Sequence, residues 1–333
     1  MSEAPSSPAP TAARPTAARP TAAPPSVDPV EAPGVISARG VTRRFGDHVA
    51  LHPLDLDLAP GVTGLLGPNG SGKSTFMRCL VGLVRPDAGA VRIDGVRLQG
   101  DGVEVRRRLT FTPGELALYG ELTGTEHLRF LVRGRDRAAL AAARTVAEEL
   151  ELPLDRQVRG YSHGMKRQLL FAAAMGPDVP VRILDEPTEG LDPTKRAAVL
   201  DILGRDAGRG RTILLSSHHL GEVDAACERI AFLDAGRLVA LEESAAVHER
   251  MARLVRLWWR EGVPDGAVER LEGQAQAQVR IEDEHLAVTL PGADPRTFLA
   301  ALAAADLPAP SAVEHGRISL AVLYREIYGV EGV

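Results

Sequence analysis

The glycine-rich stretch GPNGSGKST, residues 67–75, most constrains what this chain can fold into. It directly follows an apolar run, VTGLL, and it fits the pattern G-x-x-x-x-G-K-[ST]. Closely spaced glycines let successive backbone N–H groups converge on an anion, and a helix that begins at Lys73 points the positive end of its dipole at the same place. The stretch therefore predicts a phosphate-binding loop rather than a glycine-rich turn with a chance lysine.

The pattern also assigns roles within the loop. Lys73 would reach the β- and γ-phosphates of a nucleotide, and the hydroxyl of Ser74 would coordinate Mg²⁺. We therefore predict ATP and Mg²⁺ as cofactors, with Lys73 also in a catalytic role. The predicted ATP-binding residues of the loop are Gly67, Pro68, Asn69, Gly70, Ser71, Gly72, Lys73, Ser74 and Thr75.

An acidic pair follows a second apolar run, VRILD, at residues 181–185. Taken alone, Asp185 and Glu186 could equally be a capped strand end. Beside a phosphate-binding loop, Asp185 is predicted to hold Mg²⁺ and Glu186 to polarise the attacking water as the catalytic base.

Short apolar runs alternate with helical segments through the middle of the chain. Strands are predicted at 36–45, 49–58, 62–66, 181–185 and 212–217, and a helix at 143–152. Thr123 with Glu126 forms a capping box, and Asp192-Pro193 is a good helix start. This alternation predicts an α/β domain with a largely parallel sheet.

The two ends of the chain differ from the middle in composition. Residues 1–33 are rich in proline and alanine and repeat TAARP, which predicts a disordered arm, or else a docking arm for a partner. Residues 243–333 are predicted to form a small α+β module with at least three strands and a helix that carries Phe298, Leu299 and Leu302. The domain between them is predicted to span 34–242.

The composition excludes several classes of protein. The net charge is −5, so no nucleic-acid partner is expected. The two cysteines, Cys79 and Cys227, exclude a disulfide framework. No run of about 18 apolar residues occurs, so a membrane-spanning helix is not expected.

Three further stretches extend the pattern. They are YSHGMKRQ (161–168), DEPTEGLDP (185–193) and SSHHLGEV (216–223). Together with GPNGSGKST, and in the same order, they resemble the ATP-binding cassette of ABC transporters of the drug-exporter type. The resemblance covers residues 35 to about 240. It implies a P-loop NTPase fold of the ABC cassette type, with a helical subdomain that precedes the second acidic motif.

The resemblance implies roles for further residues. Phe45 would stack on adenine, although it could instead be a core residue at a strand end. His218 would contact the γ-phosphate in a catalytic role. Ser162 and Gly164 of the signature motif, which also includes Met165, would approach a nucleotide held by a second cassette. Packing or spacing is the favoured role for Met165 itself.

One position departs from the family. Gly114 stands where a glutamine usually helps to bind Mg²⁺ and to transmit the nucleotide state. The neighbouring Glu115 could take over the metal contact, or it could face the permease or the solvent. Near the C-terminus, residues 319–329 resemble the closing amphipathic helix of such cassettes.

These features favour the energising subunit of an ABC exporter. It would bind and hydrolyse ATP as a homodimer or heterodimer of cassettes on the cytoplasmic face of the membrane, bound to a separate transmembrane permease. Two alternatives stay open: a cassette ATPase that acts on ribosomes or DNA, and a nucleotide-binding regulator without turnover.

Overall fold

The computed structural model describes residues 35–115, 117–217, 226–275, 277–282, 285–292 and 294–315. The predicted N-terminal arm and the helix predicted at 319–329 lie outside the described residues, as does His218. Their predicted roles therefore stay predictions.

Within these residues the chain alternates between strands and helices. The strands are β1 (Ile36–Phe45), β2 (His48–Leu58), β3 (Gly61–Leu66), β4 (Ala88–Ile93), β5 (Val96–Arg97), β6 (Leu109–Thr112), β7 (Val181–Asp185), β8 (Thr212–Ser216), β9 (Arg229–Asp234), β10 (Arg237–Glu243), β11 (Leu254–Trp258), β12 (Gln278–Glu282), β13 (His285–Thr289) and β14 (Ala312–His315). The helices are α1 (Lys73–Leu80), α2 (Val103–Arg107), α3 (Gly124–Leu131), α4 (Arg137–Glu149), α5 (His163–Met175), α6 (Pro193–Ala207), α7 (Ser244–Ala252), α8 (Ala267–Ala275) and α9 (Arg296–Ala304). A 3₁₀ turn spans Val158–Gly160.

A six-stranded sheet in the order β10-β9-β3-β8-β7-β6 forms the centre of the fold. The strands from β9 to β6 run parallel, and β10 is antiparallel to β9. Every residue of β3, β7 and β8 is buried, as expected for strands that are covered on both faces. The predicted, largely parallel α/β sheet is confirmed.

Successive side chains of the parallel strands enter two different cores. Ile183 and Leu214 pack with α1 and with a second, antiparallel sheet of order β2-β1-β4-β5. Their neighbours Leu184 and Leu215 pack on the opposite side with α6. Because alternate side chains of a strand point to opposite faces, consecutive apolar residues supply side chains to both cores.

The carboxyl ends of the parallel strands meet at one edge of the sheet. Leu65 of β3 and Asp185 of β7 are both in register with Ser216 of β8, and Thr112 of β6 is in register with Leu184. The loops after β3, β6, β7 and β8 therefore leave the sheet side by side. In parallel α/β sheets this edge is where ligands bind.

Helices α3, α4 and α5 form a helical part with its own core. The predicted capping box is present, since Glu126 N donates to Thr123 Oγ1 at 3.2 Å and Thr123 N donates to Glu126 Oε2 at 2.8 Å. The helix predicted at 143–152 begins earlier, at Arg137, and ends at Glu149. It ends there because Glu151 adopts a left-handed conformation with φ 56°.

The C-terminal part contains a four-stranded antiparallel sheet in the order β12-β13-β11-β14. Apolar side chains of this sheet form a separate core with α8 and α9, in which Leu257, Leu286 and Phe298 are buried. The expected α+β module is confirmed, although Leu299 is exposed on α9. Strand β14 is an addition that the sequence did not predict.

Helix α7 lies just beyond the predicted domain boundary at residue 243. Its side chains Val247 and Met251 pack into the core beside the six-stranded sheet, not into the C-terminal core. The boundary itself stays a prediction.

A buried arginine interrupts the apolar strand β7. Arg182 donates from Nε to Asp206 Oδ2 at 2.5 Å and from Nη1 to the Ala174 carbonyl at 2.5 Å, and it also reaches the Pro177 carbonyl at 3.2 Å. A buried cation is tolerated only when it is paired and hydrogen-bonded, and these contacts meet that need. Arg182 thus ties β7 to the end of α5 and to α6.

Candidate functional site

The phosphate-binding loop leaves the end of β3 and turns into α1. Gly70 and Gly72 adopt left-handed conformations, with φ 81° and φ 102°. At Gly67, an added Cβ would lie 2.1 Å from the Leu233 carbonyl oxygen and 2.5 Å from Ser71 Oγ, so only glycine fits there. The three glycines therefore serve backbone conformation and close packing, as the sequence pattern predicted.

Lys73, the first residue of α1, is buried and turns its side chain back over the loop. Its ammonium Nζ donates to the carbonyl oxygens of Gly67 at 2.6 Å and Pro68 at 3.0 Å. Burial lowers the pKa of Lys73, and the charges of Glu186 and Asp185 oppose that shift. A partly desolvated cation whose hydrogen bonds within the described residues go to backbone carbonyls is well suited to pair with a phosphate.

The remaining loop residues surround the start of α1. Ser71 is buried and its Oγ has no hydrogen-bond partner among the described residues. Ser74 and Thr75 are half-buried in the first turn of α1, whereas Asn69 and Gly70 are exposed. A helix N-terminus with an unpartnered buried hydroxyl and a glycine cradle fits a phosphate group.

The acidic pair lies at the end of β7, two strands from β3. The Asp185 carboxylate is buried and accepts a hydrogen bond from Ser216 Oγ at 2.6 Å. Glu186 follows with φ 52°, an uncommon conformation for a residue with a side chain, and its backbone N–H donates to the same Ser216 Oγ at 3.0 Å. Ser216 therefore holds both acidic residues in place, which the sequence analysis did not anticipate.

The donor set at this edge fits Mg²⁺. The Ser74 hydroxyl and the Asp185 carboxylate are hard oxygen ligands of the kind that Mg²⁺ binds together with nucleotide phosphates. The Ser216 hydrogen bond orients the Asp185 carboxylate, as partners of metal ligands commonly do.

The loop after β6 brings Gly114, not the Glu115 carboxylate, next to the acidic pair. An ideal Cβ on Gly114 would lie 3.3 Å from Asp185 Oδ2. The Glu115 side chain is 88% exposed, and its Oε1 lies 3.4 Å from Arg78 Nη2. Of the alternatives left open for Glu115, this geometry favours a surface position over a metal ligand.

The signature motif forms the start of α5. Ser162 caps the helix, since its Oγ accepts a hydrogen bond from the Met165 backbone N–H at 3.2 Å, and the side chains of Ser162 and His163 are exposed. Gly164 packs so closely that an added Cβ would lie 2.7 Å from the Gly190 carbonyl oxygen. Met165 is half-buried against the core of the helical part.

A buried arginine one turn into α5 was also missed by the sequence analysis. Arg167 is fully buried and donates to the carbonyl oxygens of Pro113 and Gly114 and to the carboxylate of Glu189. The sequence did contain a signal of a buried charge, because Arg167 occupies a position on the apolar, core-facing side of a helix. Its partners could not be identified without the fold.

Phe45 lies at the end of β1 and is 47% exposed, so it is not a core residue. The Arg43 guanidinium carbon lies 4.5 Å from the centre of the Phe45 ring and covers one of its faces.

A parallel sheet that carries a glycine-rich phosphate loop after β3 and an Asp-Glu pair after β7 defines an α/β nucleotide-binding protein of the P-loop class. The family model described as ABC transporter matches residues 51–189 of this chain. Within the described residues, no helix is long and apolar enough to cross a bilayer.

Relatives and a solved structure agree with this match. The daunorubicin resistance ATP-binding protein DrrA3 of Streptomyces coeruleorubidus is 41% identical over 212 residues, which cover 62% of this chain and 67% of that protein. The daunorubicin/doxorubicin resistance ATP-binding protein DrrA of Streptomyces peucetius is 34% identical, over 80% of this chain and 84% of that protein. A solved structure of an ATP-binding subunit of an ABC transporter superposes with a TM-score of 0.59 at 30% identity, over 64% of this chain and 92% of that one.

The chain therefore belongs to the ATP-binding proteins of ABC transporters, in the group of drug-exporter cassettes. It is an ATPase subunit, and its ATP hydrolysis is coupled to transport.

Proposed function

We propose that this protein energises export across the membrane, as a dimer of cassettes bound to a separate permease on the cytoplasmic face. The observation that carries the dimer is the exposed N-terminus of α5. This helix has 13 residues, and its capping residue Ser162 faces solvent at the end where the helix dipole is positive. Such a surface suits the γ-phosphate of a nucleotide held by a second cassette.

The motif count supports the same arrangement. The sequence contains one phosphate-binding loop, one Asp-Glu pair in the DEPTEGLDP stretch and one signature motif. Within the chain, Gly164 of the signature packs on Gly190, whereas Lys73 contacts Gly67 and Pro68. In a dimer of two identical or different copies, the signature motif of each copy would face the phosphate-binding loop of the other. The dimer would therefore contain two composite ATP sites.

Each side chain of the site has a distinct part in hydrolysis. Lys73 and the loop N–H groups bind the β- and γ-phosphates, while Ser74 and Asp185 hold Mg²⁺, which neutralises phosphate charge when bound. Glu186 accepts a proton from the attacking water, and its backbone is held by Ser216. His218 would contact the γ-phosphate, and Phe45 would stack on adenine with the ring face opposite Arg43.

The names of the two relatives support a role in drug resistance, since both are named for resistance to daunorubicin or doxorubicin. The permease would determine the exact compound.

The test is co-expression with the product of a neighbouring reading frame that encodes about six apolar helices. We expect the cassette to sediment with membranes only when that product is present, and vesicles with both proteins to transport doxorubicin in an ATP-dependent manner. Lys73→Ala serves as the control, because it should still sediment with the membranes but should not support transport. A cassette that stays in the supernatant beside the intact permease would contradict the proposal.

A further inference from the structure

We propose that Arg167 is a positioning residue for ATP hydrolysis, which fixes the loop after β6 and the turn after β7 relative to each other. This inference rests on the ATPase activity assigned above. It does not depend on the permease or on the exported compound.

Arg167 lies in the first turns of α5 and is 0% exposed. Nη1 donates to the Pro113 carbonyl oxygen at 3.1 Å, and Nη2 donates to the Gly114 carbonyl oxygen at 2.8 Å. Nη2 also donates to Glu189 Oε2 at 2.5 Å. One guanidinium thus joins three segments that are far apart in the sequence: α5, the loop after β6 and the turn after β7.

Both anchored segments lie next to the acidic pair. Gly114 lies against Asp185, since an ideal Cβ on Gly114 would be 3.3 Å from Asp185 Oδ2. Glu189 belongs to the turn that begins at Glu186, because the Glu189 backbone N–H donates to the Glu186 carbonyl oxygen at 3.3 Å. Arg167 therefore contacts Gly114, which lies beside the proposed metal-binding carboxylate, and Glu189, which lies in the turn that carries the proposed base.

The residue types explain why an arginine is used here. Gly114 has no side chain that could hold the loop, so the position of the loop depends on its backbone carbonyls. Arginine stays charged when buried, and its planar fork presents several donors in one fixed geometry. The carboxylate of Glu189 balances the charge, and a lysine at the same position could not reach all three acceptors at once.

A purely structural role for Arg167 is the competing interpretation, and Arg182 provides the matched control. Arg182 is also a buried arginine, and it contacts the last turn of α5 through the Ala174 carbonyl together with Asp206 on α6. It therefore stabilises the opposite end of the same helix, and its hydrogen bonds reach neither Gly114 nor Glu189.

The experiment compares Arg167→Met, Arg167→Lys and Arg182→Met in the full-length protein. Four quantities are measured: the kcat of ATP hydrolysis per folded molecule, the Mg²⁺ concentration at half-maximal rate, the Kd for ATP without Mg²⁺, and the melting temperature.

For Arg167→Met we expect kcat to fall by about 10- to 100-fold, as is typical for misplaced catalytic groups, with a raised Mg²⁺ midpoint. The Kd for ATP should stay within about threefold of wild type, because the phosphate loop is not contacted by Arg167. The kcat and the Mg²⁺ midpoint of Arg167→Lys should lie between those of wild type and those of Arg167→Met.

Arg182→Met should lower the melting temperature while its kcat per folded molecule stays within about twofold of wild type. The proposal is overturned if Arg167→Met keeps wild-type kcat and Mg²⁺ dependence, or if Arg182→Met changes both to the same extent. Should Arg167→Met fail to fold, Glu189→Gln answers the question, because the glutamine keeps an oxygen that can accept from Arg167 Nη2 but no longer balances its buried charge. It should lower the melting temperature and reduce the kcat per folded molecule by about tenfold, and a wild-type kcat per folded molecule would contradict the proposal.

Discussion

Ser216 Oγ donates a hydrogen bond to Asp185 Oδ1 at 2.6 Å, across two neighbouring parallel strands. The same oxygen accepts the backbone N–H of Glu186 at 3.0 Å. One hydroxyl therefore orients the carboxylate proposed to hold Mg²⁺ and also fixes the strained backbone of the proposed base.

The variant Ser216→Ala should consequently require a higher Mg²⁺ concentration for half-maximal ATPase activity. Loss of a hydrogen bond to a metal-ligating carboxylate typically costs about 10- to 100-fold in metal affinity or activity, so the Mg²⁺ midpoint of ATPase activity should rise within that range. Thr212→Val is the control, because Thr212 lies on the same strand and its buried Oγ1 has no hydrogen-bond partner among the described residues. An unchanged Mg²⁺ midpoint in Ser216→Ala would show that the hydroxyl does not orient Asp185.

Lys73→Ala should abolish tight ATP binding. Hydrogen bonds to charged groups contribute about 1.5–3 kcal/mol each, so the Kd for ATP, measured by calorimetry, should rise at least about tenfold. Lys195→Ala is the control, since the Lys195 ammonium pairs with Glu151. Wild-type affinity in Lys73→Ala would contradict the assignment of the phosphate loop.

Glu186→Gln should keep ATP binding and lose most turnover, because the amide preserves the shape of the side chain but cannot accept the proton. Loss of a general base typically costs about 10²–10⁴ in rate. ATP should then hold two cassettes together, and light scattering should report a stable dimer that ADP does not produce. A Glu186→Gln protein that turns over normally would place the base on another residue, with His218 the next candidate.

Glu115→Ala tests the alternative hypothesis that Glu115 is a Mg²⁺ ligand. Its carboxylate is 88% exposed and faces Arg78, so we expect the Mg²⁺ midpoint of ATPase activity to stay within about twofold of wild type. Asp185→Asn should shift the midpoint strongly and serves as the positive control. A clear rise in the midpoint for Glu115→Ala would restore Glu115 as a metal ligand.

His127 should make the fold less stable in mild acid. It is buried, its Nε2 accepts the Tyr119 backbone N–H at 3.0 Å, and burial lowers its pKa against the opposing charge of Glu126. An unfolded histidine takes up a proton below about pH 6.5, whereas the folded one stays neutral until a lower pH. Stability should therefore decline as the pH falls below about 6.5, until the pH passes below the folded pKa.

The check is the melting temperature of wild type and His127→Gln at pH 7.5 and pH 5.5. The glutamine amide can still accept the Tyr119 N–H but does not titrate, so its loss of melting temperature on acidification should be smaller than that of wild type. His48→Gln, which alters an exposed histidine, is the control. Equal losses in wild type and His127→Gln would exclude His127 as the source.

The sequence alone predicted those features that depend on a few consecutive residues. The loop from Gly67 to Ser74 was predictable because glycine conformations and the start of a helix are local properties. The capping box of Thr123 and Glu126 was predictable for the same reason. The strands β3, β7 and β8 could be located because short, mostly apolar runs are typical of strands in a parallel sheet that is covered on both faces.

Tertiary structure decided every relationship between residues that are distant in the chain. The contact of Ser216 with Asp185 depends on the register of β7 and β8, which no pattern within either strand specifies. The backbone direction after β6 places Gly114 beside Asp185 and turns Glu115 toward Arg78. Arg167 was predicted only as part of a motif, because hydrogen bonds to backbone carbonyls leave no trace in the residue types that provide them. Local conformation follows from neighbouring residues, whereas the partners of a buried polar group are set by how the strands and helices pack.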